Sequence, residues 1–447
     1  MEDLKNQKII QNTDQLLSNA IDVLRSNDRG THTMPSTDIY PHQWLWDSCF
    51  SAIGWAHIDI KRAQQEINSL LKGQWSNGMI PHMIFDMSPK YSQDRNAWRS
   101  WVSPYSPDDL ATSGITQPPI IAEAVSRIGS KLNKIDRQKY YKKVLPKLTK
   151  YHEWFYAERD PRDDGLILQI HPYETGFDNT PPWMNEIREH TMPWWINMVQ
   201  KLKLDPLINV ARRDTRRLPP EQRMKNLDAL VIWDDVLRLR RKKYNIDKIL
   251  HRSLFIINDV SFNSILVRNN TLLRDIAHIA RVKLPKELIE NMTKSENSLE
   301  NLWDETFNIY FSRDYINNKL IKSPTIAGLM PLYAGTIKPE HAKKLVDDLT
   351  NSHAFWLKYP VPSVPRNVRT FDQYRYWQGP TWVNTNWLII DGLQRMGFTK
   401  EAEQLKSKTI SMIDEQGIWE YYNPLDGHGL GDPDFSWTAA LAIDLLS

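Results

Sequence analysis

The sequence predicts an all-α fold, and three observations carry that expectation. Apolar residues recur at helical spacing in around a dozen segments. A single stretch, 306–322, is the best candidate for a β-hairpin. No Gly/Ser linker and no repeat of fixed period divides the chain. The connections between helical segments are long and rich in Pro and Trp. Long structureless connections in a compact domain are usually functional or disordered, and these are too aromatic for disorder. A toroid of two concentric helix rings fits, with its long loops gathered at one end around a pocket. A solenoid or an irregular bundle is left open by the helix count.

The elements follow in order. Residues 5–26 carry Ile9, Ile10, Leu16, Leu17, Ile21 and Leu24 at helical spacing. The same period predicts helices over 60–72 and 118–129, the latter opened by Pro118-Pro119. Further helices are expected over 136–159, 185–203, 221–244 and, with a break, 253–283. The last group covers 285–292, 339–350, 381–396, 399–415 and 435–446, with Thr399 at one start. In 306–322, Phe307, Ile309 and Phe311 alternate before a turn at Asn317-Asn318. The chain is expected to form one domain over 1–447, with loop insertions near 74–117 and 204–220.

Composition narrows the function classes. Hydrophobic residues make up 41% and charged residues 25% of 447 positions, enough for a sizeable core. A net charge of +3 is mild for this length, so nucleic acid is not the expected partner. The basic runs RRDTRR (212–217) and RLRRKK (238–243) read as solvated faces. Cys49 is the one cysteine, so no disulfide can form within the chain, and it reads as a small core residue. The opening MEDLKNQKII lacks the apolar core of a secretory leader, and no stretch approaches the ~18 apolar residues of a membrane span. The expectation is a cytoplasmic protein without a membrane partner.

The aromatic content is the informative feature: 18 Trp, 17 Tyr and 12 Phe, with many Trp beside Gly, Pro, Asp and Asn. Clusters stand in YPHQWLWDSCF (40–50), NAWRSW (96–101), TPPWMNEIREHTMPWW (180–195) and QYRYWQGPTWVNTNW (373–387). Core aromatics usually sit on periodic elements. Trp among polar turn residues suits a flat ligand with both C–H faces and hydroxyls, which describes a sugar.

Other chemistries find little support. Phosphate-cradling GxGxxG and GxxxxGK[ST] are absent, as are GxSxG and HExxH. The 12 His show no metal-ligand spacing, and one Cys cannot build a zinc site. No metal or organic cofactor is expected. The carboxylates are more telling. HPYETGFDNTPPW (171–183) sets Glu174 and Asp178 among Tyr173, Phe177 and Trp183, with prolines that break any regular element. Glu420 stands among Trp419, Tyr421 and Tyr422, before a Gly-rich loop. Glycoside hydrolysis needs such a pair, one acid protonated and one ionised, and an apolar setting favours the protonated form. The same residues also suit helix capping or pairing with Arg. Asp47, between Trp44 and Trp46, suits either a grip on two sugar hydroxyls or a helix N-cap. His42 and His82 read as satisfied structural histidines, and Glu174 as a residue that holds its loop.

Several motifs together resemble glycoside hydrolase family 63: WLWDSCF, SGITQPP (113–119), ETGFDN (174–179), YRYWQGPTWVNTNW (374–387), and EYYNP with GHGLG and FSWTAA (420–440). Within it, the mannosylglycerate and glucosylglycerate hydrolases match in size. The resemblance spans about residues 40 to 440. It implies an (α/α)6 barrel and hydrolysis of a small α-glycoside with inversion, giving free sugar and glycerate. It also implies Asp178 as general acid and Glu420 as general base. Asp47 with Tyr40, Trp44 and Trp46 matches the group that grips the sugar, and Gln117, Tyr376, Trp377 and Trp382 fall in matching segments. Arg212, in an R-x-D-T segment, matches the residue that holds the acidic aglycone, where a guanidinium fork suits a carboxylate. Tyr91 matches a Tyr near the substrate. The implied partner is a small-molecule glycoside, and a homo-oligomer is compatible with the resemblance. An α-glucosidase or trehalase-like enzyme is the alternative, followed by a sugar-binding protein without chemistry. An epimerase on the same toroid would need a His pair that these motifs lack.

Overall fold

Helices pair off in chain order and close into two rings in this computed structural model, which describes residues 2–187, 192–204, 207–209, 212–251, 253 and 255–447. The pairs are α1 (Glu2–Ser26) with α2 (Leu45–Ile58), α3 (Ile60–Lys72) with α4 (Ile121–Ser130), and α5 (Lys134–Arg159) with α6 (Val260–Ala280). They continue with α7 (Lys286–Ser298) and α8 (Pro331–Ala334), α9 (Pro339–Leu349) and α10 (Val383–Arg395), and α11 (Thr399–Gln416) and α12 (Ser436–Leu446). The even-numbered helices form the inner ring. α2 packs on α4, α4 on α6, α6 on α8, α8 on α10, α10 on α12, and α12 returns to α2. The odd-numbered helices lie outside and pack against the inner ring, as α3 does on both α2 and α4, α11 on both α10 and α12, and α1 on both α12 and α2. The fold is an (α/α)6 toroid.

The sequence makes these helices by ordinary means. Asp59 caps α3 by accepting from the Lys61 and Arg62 amides, and Asn133 caps α5 through the Ile135 and Asp136 amides. Asp259 caps α6 by accepting from the Phe262 amide at 2.8 Å. Inner helices are apolar nearly all round because protein surrounds them: every residue of α2 from Leu45 to Ala56 is buried. Gly54 lets α2 meet α12 closely, since a Cβ there would stand 2.5 Å from Ala440 Cα. Cys49 is buried in this core, as expected.

Differences from expectation are local. α2 matches the helical pattern that follows Asp47 in the sequence, whereas α8 is a single turn that did not stand among the expected helices. The expected helix over 185–203 is two helices, Pro181–Glu186 and Trp194–Lys201, and residues 188–191 lie outside the described residues. The segment 253–283 starts its helix at Val260, because Ile257–Asn258 is a strand paired antiparallel with Arg313–Asp314. Arg313–Asp314 also pairs with Lys319–Leu320 around the turn expected at Asn317-Asn318. Ile309–Tyr310 belongs instead to a separate pair with Trp303–Asp304. A further hairpin, Trp419–Tyr422 with Gly429–Pro433, was not anticipated. Among the described residues no helix is long and apolar enough to cross a membrane.

Candidate active site

A cavity of about 430 Å³ opens at the end of the toroid where α2, α4, α10 and α12 begin. Of the twelve residues singled out from the sequence, ten line it: Tyr40, Trp44, Trp46, Asp47, Gln117, Asp178, Arg212, Tyr376, Trp377 and Glu420. Trp382 does not. It lies behind the wall, stacked on Trp377 at 3.8 Å and 3° and on Tyr421 at 4.4 Å. Tyr91 also stands one layer back, edge-on to His42 at 5.3 Å and beneath the Arg213 guanidinium.

Glu420 is carried by the hairpin strand Trp419–Tyr422, whose register against Gly429–Pro433 turns its side chain into the cavity wall. The carboxylate is 1% exposed and fully engaged. Tyr40 Oη donates to Oε1 at 2.8 Å, the Asp432 amide to Oε2 at 3.1 Å, and Arg223 Nη1 to both oxygens at 3.2 Å. Burial holds the Tyr40 phenol well above its usual range, so it serves as a donor.

Asp178 follows the turn Pro172–Thr175 and precedes the helix Pro181–Glu186, and the prolines expected to break regular structure open both elements. Its carboxyl is half-buried at the cavity and accepts from Tyr376 Oη at 3.3 Å. Burial pushes it up to about 8; Arg223 and the Tyr376 bond pull it back, and the Glu420 charge adds to the rise. Tyr376 is itself strained, at φ +35, and is held by donation of its amide to Gln222 O and by the Arg223 guanidinium 4.3 Å from its ring.

Asp47 is not the cap of α2. Trp44 takes that position, and Asp47 lies in the first turn facing the cavity. Burial raises its carboxyl well above the usual range, reinforced by the charges of Glu420 and Asp178. Asp47, Asp178 and Glu420 thus share one cavity. The first two are driven toward the protonated form, and the third accepts from the Arg223 guanidinium. A pair of acids whose environments differ in this way can divide proton donation and proton acceptance. Gln117 braces the sugar-sized wall by accepting from the Trp46 amide at 3.2 Å.

The run 212–217, expected as a solvated face, supplies Arg212, Arg213 and Asp214 to the cavity instead. Arg212 is occupied: it forks onto Asp214 at 3.2 and 2.6 Å and reaches Met224 O and Asn226 Oδ1. Arg213 donates from Nη2 to Asp94 at 2.9 Å, and its other nitrogens carry no hydrogen bond among the described residues. Arg223 was not singled out, although it touches Glu420, Tyr40, Asp214 and Tyr376. The available cue was physical: an ionised acid in an aromatic setting needs a buried cation.

Glu174 is a loop-holding residue, as expected. Arg159 forks onto it at 2.8 and 2.9 Å, and the Thr116 and Ile170 amides donate to it. His42 is satisfied between Asp94 and the Asp86 amide. His82 is not fully satisfied. It lines the cavity, its Nδ1 has no partner among the described residues, and burial pushes it down to about 3, so the ring is neutral.

A family model described as a mannosylglycerate hydrolase MGH1-like glycoside hydrolase domain matches residues 40–438. The mannosylglycerate hydrolase of Thermus thermophilus is 37% identical over 95% of this chain and 99% of its own length. The glucosylglycerate hydrolase of Mycolicibacterium hassiacum is 28% identical over 97% and 98% of the two chains. A crystal structure of a GH63 mannosylglycerate hydrolase from Thermus thermophilus, in complex with Tris and D-glycerate, superposes with a TM-score of 0.85 at 35% identity, covering 96% of this chain and 99% of that one. The neutral trehalase of Saccharomyces cerevisiae, at 15% identity and a TM-score of 0.53, shares the fold.

Proposed function

As this chain belongs to glycoside hydrolase family 63, in its mannosylglycerate hydrolase MGH1-like group, we propose that its substrate is mannosylglycerate or glucosylglycerate, cleaved to free sugar and glycerate. The enzyme is an inverting glycoside hydrolase. The observation that carries the residue roles is the contrast between two acids in one cavity. Asp178 is raised to about 8 by burial, and Glu420 accepts from Arg223, Tyr40 and a backbone amide.

The sugar stacks against Trp44, Trp46 and Trp377, with Asp47 accepting from its hydroxyls. Asp178, protonated at neutral pH, donates its proton to the glycosidic oxygen as the C–O bond breaks. Glu420 takes a proton from water, and that water attacks the anomeric carbon from the face opposite the leaving group. Glycerate carries a carboxylate, which suits the Arg212–Arg213 wall. Arg213 has free donors for a fork, and Arg212 beside it is held on Asp214. A single domain over 1–447 and a cytoplasmic location complete this reading.

Incubation with mannosylglycerate, glucosylglycerate, trehalose and maltose, followed by proton NMR, tests it. The expected result is release from a glycerate glycoside with the β-anomer appearing first. Cleavage of the disaccharides alone would replace the substrate class and favour the glucosidase alternative. First appearance of the α-anomer would overturn the water-attack geometry.

A further inference from the structure

Arg223 lies between the two acids and touches the supports of both. Its Nη1 donates to both Glu420 oxygens at 3.2 Å, its Nη2 to Tyr40 Oη at 2.6 Å, and its Nε to Asp214 Oδ2 at 3.3 Å. Its guanidinium carbon lies 4.3 Å from the centre of the Tyr376 ring, and Tyr376 Oη donates to Asp178. The backbone is equally tied. Gln222 O accepts from the Tyr376 amide at 3.2 Å and from Tyr421 Oη at 2.6 Å, and Gln222 Oε1 accepts from the Gly431 amide at 3.1 Å. Arg375 Nη1 donates to the Arg223 carbonyl at 3.0 Å. The pair Gln222-Arg223 therefore pins the Tyr376 loop and the Glu420 hairpin to each other.

We infer that Arg223 is a positioning residue that couples the two acids and sets the pH window in which one is protonated while the other is ionised. This rests on the roles assigned to Asp178 and Glu420 above. The reason is charge and geometry together. A guanidinium favours the ionised form of a neighbouring carboxyl. It acts on Glu420 by direct contact and on Asp178 across the Tyr376 ring. Besides Arg375 on its carbonyl and Arg212 across Asp214, the titratable groups facing it are acids and phenols. Tyr40 comes from the chain before α2, Tyr376 from the loop before α10, and Tyr421 and Asp432 from the hairpin. Asp214, held also by Arg212, comes from its own segment. None of these replaces its charge. Removing the charge shifts both limbs of the activity profile toward higher pH: the acidic limb, where the base must lose its proton, and the alkaline limb, where the acid must keep its own.

The test is the pH profile of kcat/KM from about pH 4 to about pH 10 for wild type, Arg223→Gln and Arg223→Lys, with Asp178→Asn and Glu420→Gln as controls. Arg223→Gln is expected to move both limbs upward by about one pH unit. Arg223→Lys is expected to leave the limbs near those of wild type but to lower kcat about tenfold, because a point charge cannot fork to Glu420 and Tyr40 together. Limbs that stay in place in Arg223→Gln, with only the height of the profile reduced, overturn the inference. So does an Arg223→Lys profile that coincides with that of Arg223→Gln. Should Arg223→Gln fail to fold, full kcat in Arg223→Lys overturns the inference, and reduced kcat with unmoved limbs supports it. Activity near that of wild type in either control variant overturns the acid–base assignment itself, and the coupling with it; those controls leave Arg223 unchanged, so the two failures are distinguishable.

Discussion

Arg159 and Glu174 meet in a buried fork of two bonds, 2.8 and 2.9 Å, with the acid fully enclosed and the guanidinium nearly so. The Thr116 and Ile170 amides add to the same carboxylate. This joint ties the end of α5 to the loop that presents Asp178. Breaking one side strands a buried charge, which costs about 3–5 kcal/mol. Arg159→Ala should therefore lower the melting temperature sharply. Glu174→Gln should also lose stability, but its folded fraction should still turn over substrate. Melting curves and active-site titration check both; a Glu174→Gln protein of normal stability and no activity would contradict the structural role.

Asp178 makes a prediction about stability as well as rate. Loss of the proton donor should reduce kcat by about 10²–10⁴-fold in Asp178→Asn. The folded acid holds its proton up to about 8, whereas the unfolded chain releases it near about 3.9. The folded state thus binds more protons between these values, so this residue's contribution to stability falls as pH rises from about 4 to about 8. Asparagine carries no such proton. Asp178→Asn should melt above wild type at alkaline pH, by about 2 °C or more, and closer to it near about pH 5. Scanning calorimetry at the two pH values decides the matter; a larger gain at the lower value would contradict the sign.

Arg212 and Arg213 should separate in substrate dependence. Arg213 has free donors facing the cavity, whereas Arg212 is occupied by Asp214, Met224 O and Asn226. Arg213→Ala should raise KM about 10–100-fold for a glycoside with a carboxylate aglycone, because a charge-assisted fork is lost. It should leave a neutral aryl glycoside little changed. Arg212→Ala should impair both substrates, since it releases the segment that carries Asp214. Steady-state kinetics on the two substrates test this, and equal KM effects of Arg213→Ala on both would contradict it.

Gly431 should be intolerant of a side chain. Its φ is +72, and a Cβ there would stand 2.4 Å from Glu420 Oε2. Gly431→Ala must displace the carboxylate or the hairpin. Lower kcat with a nearly unchanged KM is expected. A variant with wild-type kcat would show that Glu420 tolerates displacement and that its position is not critical.

Most of the helical frame was legible because burial of an apolar stripe imposes a local period, and α3, α4 and α9 carry that period cleanly. It weakened where the period disappears. α2 is enclosed on all sides, so its residues 45–56 alternate with nothing. The short strand at 257–258 depends on a partner far along the chain, at 313–314, and no local pattern announces it.

By itself the sequence determined the ring of helices, the aromatic cavity and the two acids within it, because residue type and motif carry that information directly. Tertiary structure decided what each acid experiences. Glu174 and Asp178 stand four positions apart in one loop, yet Arg159 takes the first and burial beside Tyr376 raises the second. Trp377 and Trp382 share one motif, yet Trp377 faces the cavity and Trp382 supports it from behind. Arg223 joins Glu420 across a separation in sequence that no motif spans. Desolvation and Coulomb interaction depend on distance in space, and only the closed toroid sets those distances.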